Sequence, residues 1–306
     1  MPLSPNARAA LLMTLSMAAF VINDMLTKLA GLHMNMGQVM AVRGLFASIF
    51  VIALAWRQGA LRHFGAVAHP MVGLRTLSDI LATIAFLLAL AKVPLVSVSA
   101  ILQALPLAVT MGAAIFFREP VGWRRWMAIT IGFVGVLVIL RPGGSTFTIY
   151  SVFALACVFF CAVRDLATRA IPPGIKSIQV SVVTAIGVML GGVVLMWPLG
   201  GWTPLTFAST WPLVIAAMLV IAGLQTLIHA MRAGDISFTA PFRYTALIWA
   251  ASLGFVVFGE VPDHWTLVGA AIVIGSGIFT IYRERKRKGA KPVAAESNAK
   301  LGARGI

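Results

Sequence analysis

"NDMLTK" (residues 23–28) and "RDLATR" (residues 164–169) stand 141 positions apart, and their likeness decides how the whole chain is read. Sliding the chain along itself by 141 residues, without a gap, also sets Gln38 on Gln179, Trp56 on Trp197, Ala89 on Ala230 and "FRE" (117–119) on "FGE" (258–260). The acid–base pair Asp24/Lys28, at the i,i+4 spacing that brings side chains together on a helix, returns as Asp165/Arg169. A fixed period of this kind marks two copies of one structural unit.

Each copy is apolar. Of 306 residues 60% are hydrophobic and only 11% charged, with a mean hydropathy of +0.95, whereas a soluble domain needs far more charge on its surface. Runs near the roughly 20 residues that cross about 30 Å of hydrocarbon fall at 9–29, 38–56, 71–90, 95–117, 126–140, 149–169, 177–197, 211–231, 237–258 and 265–282. The fifth is short and is expected to begin nearer Trp123. Each copy holds five spans, an odd number, so the second enters the membrane from the opposite face. The expected fold is an all-α membrane protein of ten transmembrane helices in two inverted five-helix repeats, 9–140 and 149–282, with a basic tail at 283–306 whose composition reads as disordered. Inverted repeats of this kind place a secondary transporter's site near the midplane between the copies.

The net charge of +15 sits in short loops and the tail, which fits membrane topology and not a nucleic-acid surface. With a cytoplasmic N-terminus, the inside segments hold Arg8, Arg57, Arg62, Arg118, Arg124, Arg125, Arg164, Arg169, Lys176, Arg232 and the basic tail, against Lys28, Lys92 and Arg141 outside. This places both termini in the cytoplasm of a multi-pass protein of the bacterial inner membrane. The N-terminal apolar run continues past Ala18 without a small-residue cleavage site, so it is expected to be a span and not a cleaved signal. Cys157 and Cys161, one turn apart, are expected to be buried apolar side chains. No metal or other cofactor is expected.

Two stretches, 89–140 and 230–279, carry a resemblance to the EamA-type branch of the drug/metabolite transporter superfamily. In that family a small-residue and proline step opens the fourth helix of each unit, a Glu closes it, and a Trp and a glycine-spaced fifth helix follow. Pro94, Glu119 and Trp126 match in the first copy, and Glu260 and Trp265 in the second. Asp235 stands at the proline step of the second copy, with Pro241 further in. The resemblance implies a ten-helix carrier, similar above all to exporters of amino acids, aromatic ones among them. It also implies that helices 5 and 10 lie at the periphery, which allows a monomer or a weak homodimer.

Ionisable residues inside spans cost at least about 2.5–3.5 kcal/mol each and should face protein or water. Arg43, Arg75, Asp79, Gln103, Gln225, His229, Arg243 and Tyr244 are the polar positions read as lying within spans. Arg43 reads either as a bidentate anchor for a substrate carboxylate or as the counter-ion of Asp79. Arg75 and Asp79, one turn apart, either neutralise each other or face the substrate. His229 reads as a packing or cap residue or a proton carrier. Asp24/Lys28 and Asp165/Arg169 are assigned to helix ends, as caps and topology charges, and Glu119 and Glu260 to a gate or a cap. Asp79, or carbonyls freed where Pro106 breaks the fourth span, would meet an ammonium. Phe86, Met218 and Trp249 would supply an apolar lining suited to a hydrophobic or aromatic side chain. Asp79 as the lone midplane carboxylate points to a facilitator or exchanger. Expected substrate-binding residues are therefore Arg43, Arg75, Asp79, Gln103, His229, Arg243, Tyr244 and Trp249. Other metabolites or cationic drugs are the alternative cargo; a passive channel or an intramembrane enzyme built on Ser276 and His229 is the remote one.

Overall fold

The computed structural model describes residues 4–61, 67–144, 147–234 and 236–286. Asp235, Arg62 and the tail beyond Lys286 lie outside the described residues. The helices are α1 (Pro5–Ala30), α2 (Met36–Arg57), α3 (Pro70–Leu90), α4 (Leu95–Leu102), α5 (Leu105–Phe116), α6 (Trp123–Leu140), α7 (Ile149–Ala170), α8 (Ser177–Met196), α9 (Phe207–Ala233), α10 (Ile236–Thr239), α11 (Thr245–Phe258) and α12 (His264–Lys286). The pieces α4 and α5 form one broken span, and a 3₁₀ turn, Ala240–Tyr244, leads into α11 in another, giving ten segments long and apolar enough to cross a membrane. The fifth span begins at Trp123, as expected.

Local chemistry sets several ends. The Ser4 hydroxyl accepts from the Ala7 amide at 3.3 Å and opens α1; the Asn35 side chain accepts from the Gln38 amide at 2.9 Å and opens α2. Pro5 and Pro70 occupy first-turn positions, where a missing N–H costs nothing. Pro106 has no N–H to offer the preceding turn, and the fourth span is interrupted just before it, between Leu102 and Leu105.

The packing pairs are ordered by the repeat. Helix α1 lies along α9 and α3 along α7, and interchanging the halves turns one pair into the other. The second span packs on the seventh (α2 on α8), the fourth on the ninth (α4 on α11), and the fifth on the tenth (α6 on α12), so each of these pairs maps onto itself. Two of the self-mapping pairs come into backbone contact. A Cβ added at Gly37 would sit 2.4 Å from the Met196 nitrogen, and one at Gly192 2.4 Å from the Ala41 nitrogen, so α2 and α8 touch backbone to backbone. Helices α6 and α12 meet the same way, with a Cβ at Gly135 falling 2.9 Å from the Gly269 oxygen. In a bilayer, where lipid tails are as apolar as leucine, such van der Waals contact is what joins helices. Phe86 of α3 packs against four separate core clusters and marks the centre of the bundle.

Gln38 and Gln179, aligned by the repeat, do the same work in opposite halves. Gln38 donates to the Thr203 carbonyl at 2.7 Å and accepts from its amide at 3.0 Å; Gln179 donates to the Ala60 carbonyl at 2.7 Å. Each holds the loop that follows the partner span. Both chain ends emerge at one face of the bundle, called here the terminal face; the opposite one is the distal face.

The α2–α8 crossing is directly testable. Gly192→Ala overpacks it and should cost about 1–3 kcal/mol, lowering the melting temperature in detergent. Gly73→Ala, where an added Cβ meets nothing within 4 Å, should leave it unchanged or slightly raised.

Candidate functional site

The "FRE" and "FGE" stretches are one turn, built twice. Helix α5 ends with Arg118 in the left-handed region (φ 52°) and the Glu119 amide donating to the Ala113 carbonyl; α11 ends with Gly259 (φ 66°) and the Glu260 amide donating to the Gly254 carbonyl. Each helix thus closes through a left-handed residue, with the following amide returning to the carbonyl six residues back. This close turns each glutamate inward against the other half of the molecule. Glu260 pairs with Lys28 at the distal face, and Glu119 pairs with Arg169 at the terminal face. Each cation also lies over the phenylalanine of the same turn, Lys28 over Phe258 at 5.2 Å and Arg169 over Phe117 at 5.0 Å. All six residues are related by the 141-residue shift. Glu260 additionally accepts from the Leu95 amide at 2.7 Å, and Lys28 donates to the Val93 carbonyl at 3.0 Å. Pro94, at the N-cap of α4, makes no side-chain cap, so a glutamate from the other half serves as one. The acid–base spacing Asp24/Lys28 and Asp165/Arg169 thus does not form pairs within a helix, because the basic member reaches across to the opposite repeat.

Between these closures lies a cluster of charges. Arg164 of α7 bonds Asp79 of α3 at 2.9 Å and Asp165 at 2.9 Å. Arg75 of α3 donates to the Thr168 hydroxyl at 3.1 Å and to the Thr184 hydroxyl of α8. Arg43 of α2 donates to the Asn23 side-chain oxygen at 3.3 Å, and the Asn23 amide donates to Asp24 at 2.8 Å. The side chains of Arg164 and Asp79 keep 28% and 20% of their exposure despite their depth in the bundle, so internal space reaches them. Arg243 stands at the end of the 3₁₀ turn, within electrostatic reach of Asp165 and Arg164. Among the described residues its guanidinium has no hydrogen-bond or ion-pair partner. The Gln103 amide, at the break of the fourth span, donates to the Arg243 carbonyl at 3.4 Å. Gln103 and Tyr244 occupy the same position of the repeat, so the two interrupted spans meet at their interruptions. Tyr244 itself is buried against α12 at Gly277.

Several sequence expectations change here. Asp79 is neutralised by Arg164, not by Arg75 or Arg43, because α3 packs on α7 and Arg75 is drawn to two threonines. Asp79 is not the lone carboxylate within the membrane. Asp24 and Asp165 lie six and five residues before the ends of α1 and α7, about 9 and 7.5 Å in at 1.5 Å per residue, and both join the cluster. The ground for a carrier cycle without a titratable partner is thereby removed. His229, Met218 and Trp249 do not face the cluster. His229 and Met218 are exposed on α9, and Trp249 stands on the same side of α11 as Val256, at the outer surface. Arg164, Asp165 and Asp24 escaped sequence reading because proximity to a loop made them look like topology charges, and the uncharged Asn23 was not singled out. Their signal was present in the repeat, which sets 23–24 on 164–165. Cys157 and Cys161 are free and buried, their sulfurs 3.9 Å apart, as expected.

Removing one partner of a membrane-embedded pair leaves a charge stranded, a loss of about 3–5 kcal/mol when fully buried. With this pair partly accessible, Arg164→Gln should cost about 1–3 kcal/mol, read as a lower midpoint in thermal unfolding. Asp79→Asn added to Arg164→Gln should recover part of that loss, and the coupling in the double-mutant cycle measures the pair.

Comparison with known proteins agrees with this architecture. Residues 7–141 match the EamA-like transporter family. An S-adenosylmethionine uptake transporter of Rickettsia prowazekii is 26% identical over 283 residues, covering 90% of this chain and 93% of its own. A riboflavin transporter of Vibrio cholerae is 30% identical over 64% of this chain and 65% of its own. A pseudopaline exporter of Pseudomonas aeruginosa is 24% identical over 91% of this chain and 96% of its own. A crystal structure 19% identical in sequence superposes with a TM-score of 0.57, covering 92% of this chain and 99% of that one, which carries the fold. Ten apolar helices among the described residues, a repeat whose halves clasp each other, and an EamA-like transporter domain matched over residues 7–141 describe a multi-pass membrane protein similar to transporters of that family.

Proposed function

We propose that this chain is an alternating-access carrier for small metabolites bearing an α-amino-acid group, those with hydrophobic or aromatic side chains foremost, working chiefly in export across the bacterial inner membrane with both termini cytoplasmic. The observation that carries the reading is Arg243. A guanidinium keeps its proton, and one inside a bundle without a committed partner is available to a substrate carboxylate in bidentate form. It sits where the interruptions of the fourth and ninth spans meet, the place where discontinuous helices of inverted-repeat carriers form their sites. Arg43, whose one hydrogen bond among the described residues is the 3.3 Å contact to Asn23, lies within electrostatic reach of Asp24 and Asp79 and is the second guanidinium placed to meet a carboxylate. Asp24 and Asp79 supply negative charge for an ammonium.

The paired closures support alternating access. Opening the distal face requires Lys28 and Glu260 to part; opening the terminal face requires the same of Arg169 and Glu119. The distal pair is the drier, with side chains 10% and 17% exposed against 21% and 25%, so water screens it less. Direction follows from solute gradients in a reversible carrier, so export here and uptake in the rickettsial relative are compatible with one machine. S-adenosylmethionine, named for that relative, carries the same carboxylate and ammonium on its methionyl end and is a second cargo worth testing.

Counterflow in proteoliposomes separates the possibilities. Labelled L-phenylalanine and S-adenosylmethionine should exchange, accelerated by the same solute on the far side, as a carrier requires and a pore does not. Arg243→Gln should lower exchange by at least about tenfold, the loss of one charge-assisted contact, and Arg57→Gln should not. Transport of riboflavin alone, which has neither carboxylate nor ammonium, would overturn the amino-acid reading.

The closures have a sided signature in hydrogen exchange. Glu260→Ala should speed exchange of the first amides of α4, around Leu95, and leave the end of α7 unchanged. Glu119→Ala should do the reverse. Equal effects at both faces from either variant would remove the gate assignment.

A further inference from the structure

The repeat places Asn23 on Arg164 and Asp24 on Asp165, and the departure from symmetry at the first of these positions has a chemical consequence. In the second half, Asp165 is bonded by its own neighbour Arg164 at 2.9 Å. In the first half the neighbour is an asparagine, and Asp24 accepts only the Asn23 amide, at 2.8 Å. Arg43 lies within electrostatic reach of Asp24 but donates its hydrogen bond to the Asn23 oxygen, 3.3 Å away, and not to the carboxylate. Among the described residues Asp24 therefore makes no ion pair, although it is set in a span and only half-buried. A carboxylate in the membrane without a bound cation is costly, and a solute cation entering the bundle would relieve that cost.

We infer that Asp24 is the subsite for the cationic group of the transported solute, an ammonium or a comparable organic cation, and that asparagine at position 23 keeps it vacant for that purpose. The inference rests on the proposed reading of this chain as a carrier for α-amino-acid solutes and adds its polarity. The ammonium end of the solute lies toward Asp24, in the distal half. An arginine at position 23 would supply Asp24 with the same internal cation that Asp165 has and so close the subsite without deleting the carboxylate.

Binding to the full chain in lipid nanodiscs, measured by calorimetry with L-phenylalanine, 2-phenylethylamine and 3-phenylpropionate, tests this. These probes share a ring and differ only in carrying both charges, the cation alone or the anion alone. Asp24→Asn should weaken L-phenylalanine and 2-phenylethylamine by at least about tenfold, the worth of a charge-assisted contact, and leave 3-phenylpropionate within about twofold. Asn23→Arg should give the same pattern with Asp24 still present, which keeps the test alive if Asp24→Asn does not fold. Equal loss of all three probes in both variants would make Asp24 structural and overturn the subsite, while the amino-acid reading survives. Wild-type binding of 2-phenylethylamine without L-phenylalanine would keep the subsite and overturn the amino-acid reading. Binding of neither amine by the wild type would overturn both.

Discussion

The ion pairs Lys28–Glu260 and Arg169–Glu119 join the two halves of this molecule at opposite faces, and the remainder of the architecture can be followed outward from them. Each pairs the end of a first span with the turn that closes a fourth span of the other repeat. Glu260 also caps α4, a helix that starts at a proline and cannot cap itself. The same element therefore holds the halves together and fixes where the fourth span begins. In water such pairs contribute little. In a bundle surrounded by lipid, a glutamate or lysine has few other partners, so the alternatives to pairing are worse.

Between the closures lies the cluster of charges, and it is lopsided between the two halves. The first half provides Arg43, Arg75 and Asp79, while the second carries Thr184, Ala216 and Val220 at the equivalent positions. The second half answers with Arg164 and Arg243. Repeats that were chemically identical would offer a substrate two equivalent orientations. The departures from identity remove that degeneracy, and one of them, Arg243, stands at the interruption of the ninth span.

The residues that recur across 141 positions proved to be those that touch the opposite half: Gln38 and Gln179 holding each other's loops, Lys28 and Arg169 meeting Glu260 and Glu119, and the two left-handed turns that aim those glutamates. Trp56 and Trp197 differ in kind. Both are exposed at helix ends, as tryptophans are at the membrane interface. Asp24 and Asp165 show how the repeat could have been used further. Their equal register was visible, yet each was assigned to a helix end. Distance from a loop along the chain is a poor guide to depth when a helix runs another turn and a half beyond the residue.

Span number, inverted repetition and the likeness to EamA-like transporters were all legible in the sequence by itself, because hydrophobic length, odd span count and internal register are one-dimensional properties. Even the break at Pro106 follows from a missing N–H. Which charge answers which was not legible. Arg75 and Asp79 share a helix face, yet the packing of α3 on α7 gives Asp79 to Arg164, and the packing of α3 near α8 gives Arg75 to Thr184. His229 and Trp249 looked like chamber residues because a span has no visible inside until its neighbours are known. Those assignments belong to the tertiary structure alone, because an ion pair in a low-dielectric bundle is decided by which helices lie side by side, and residues 85 or 232 positions apart meet only after they do.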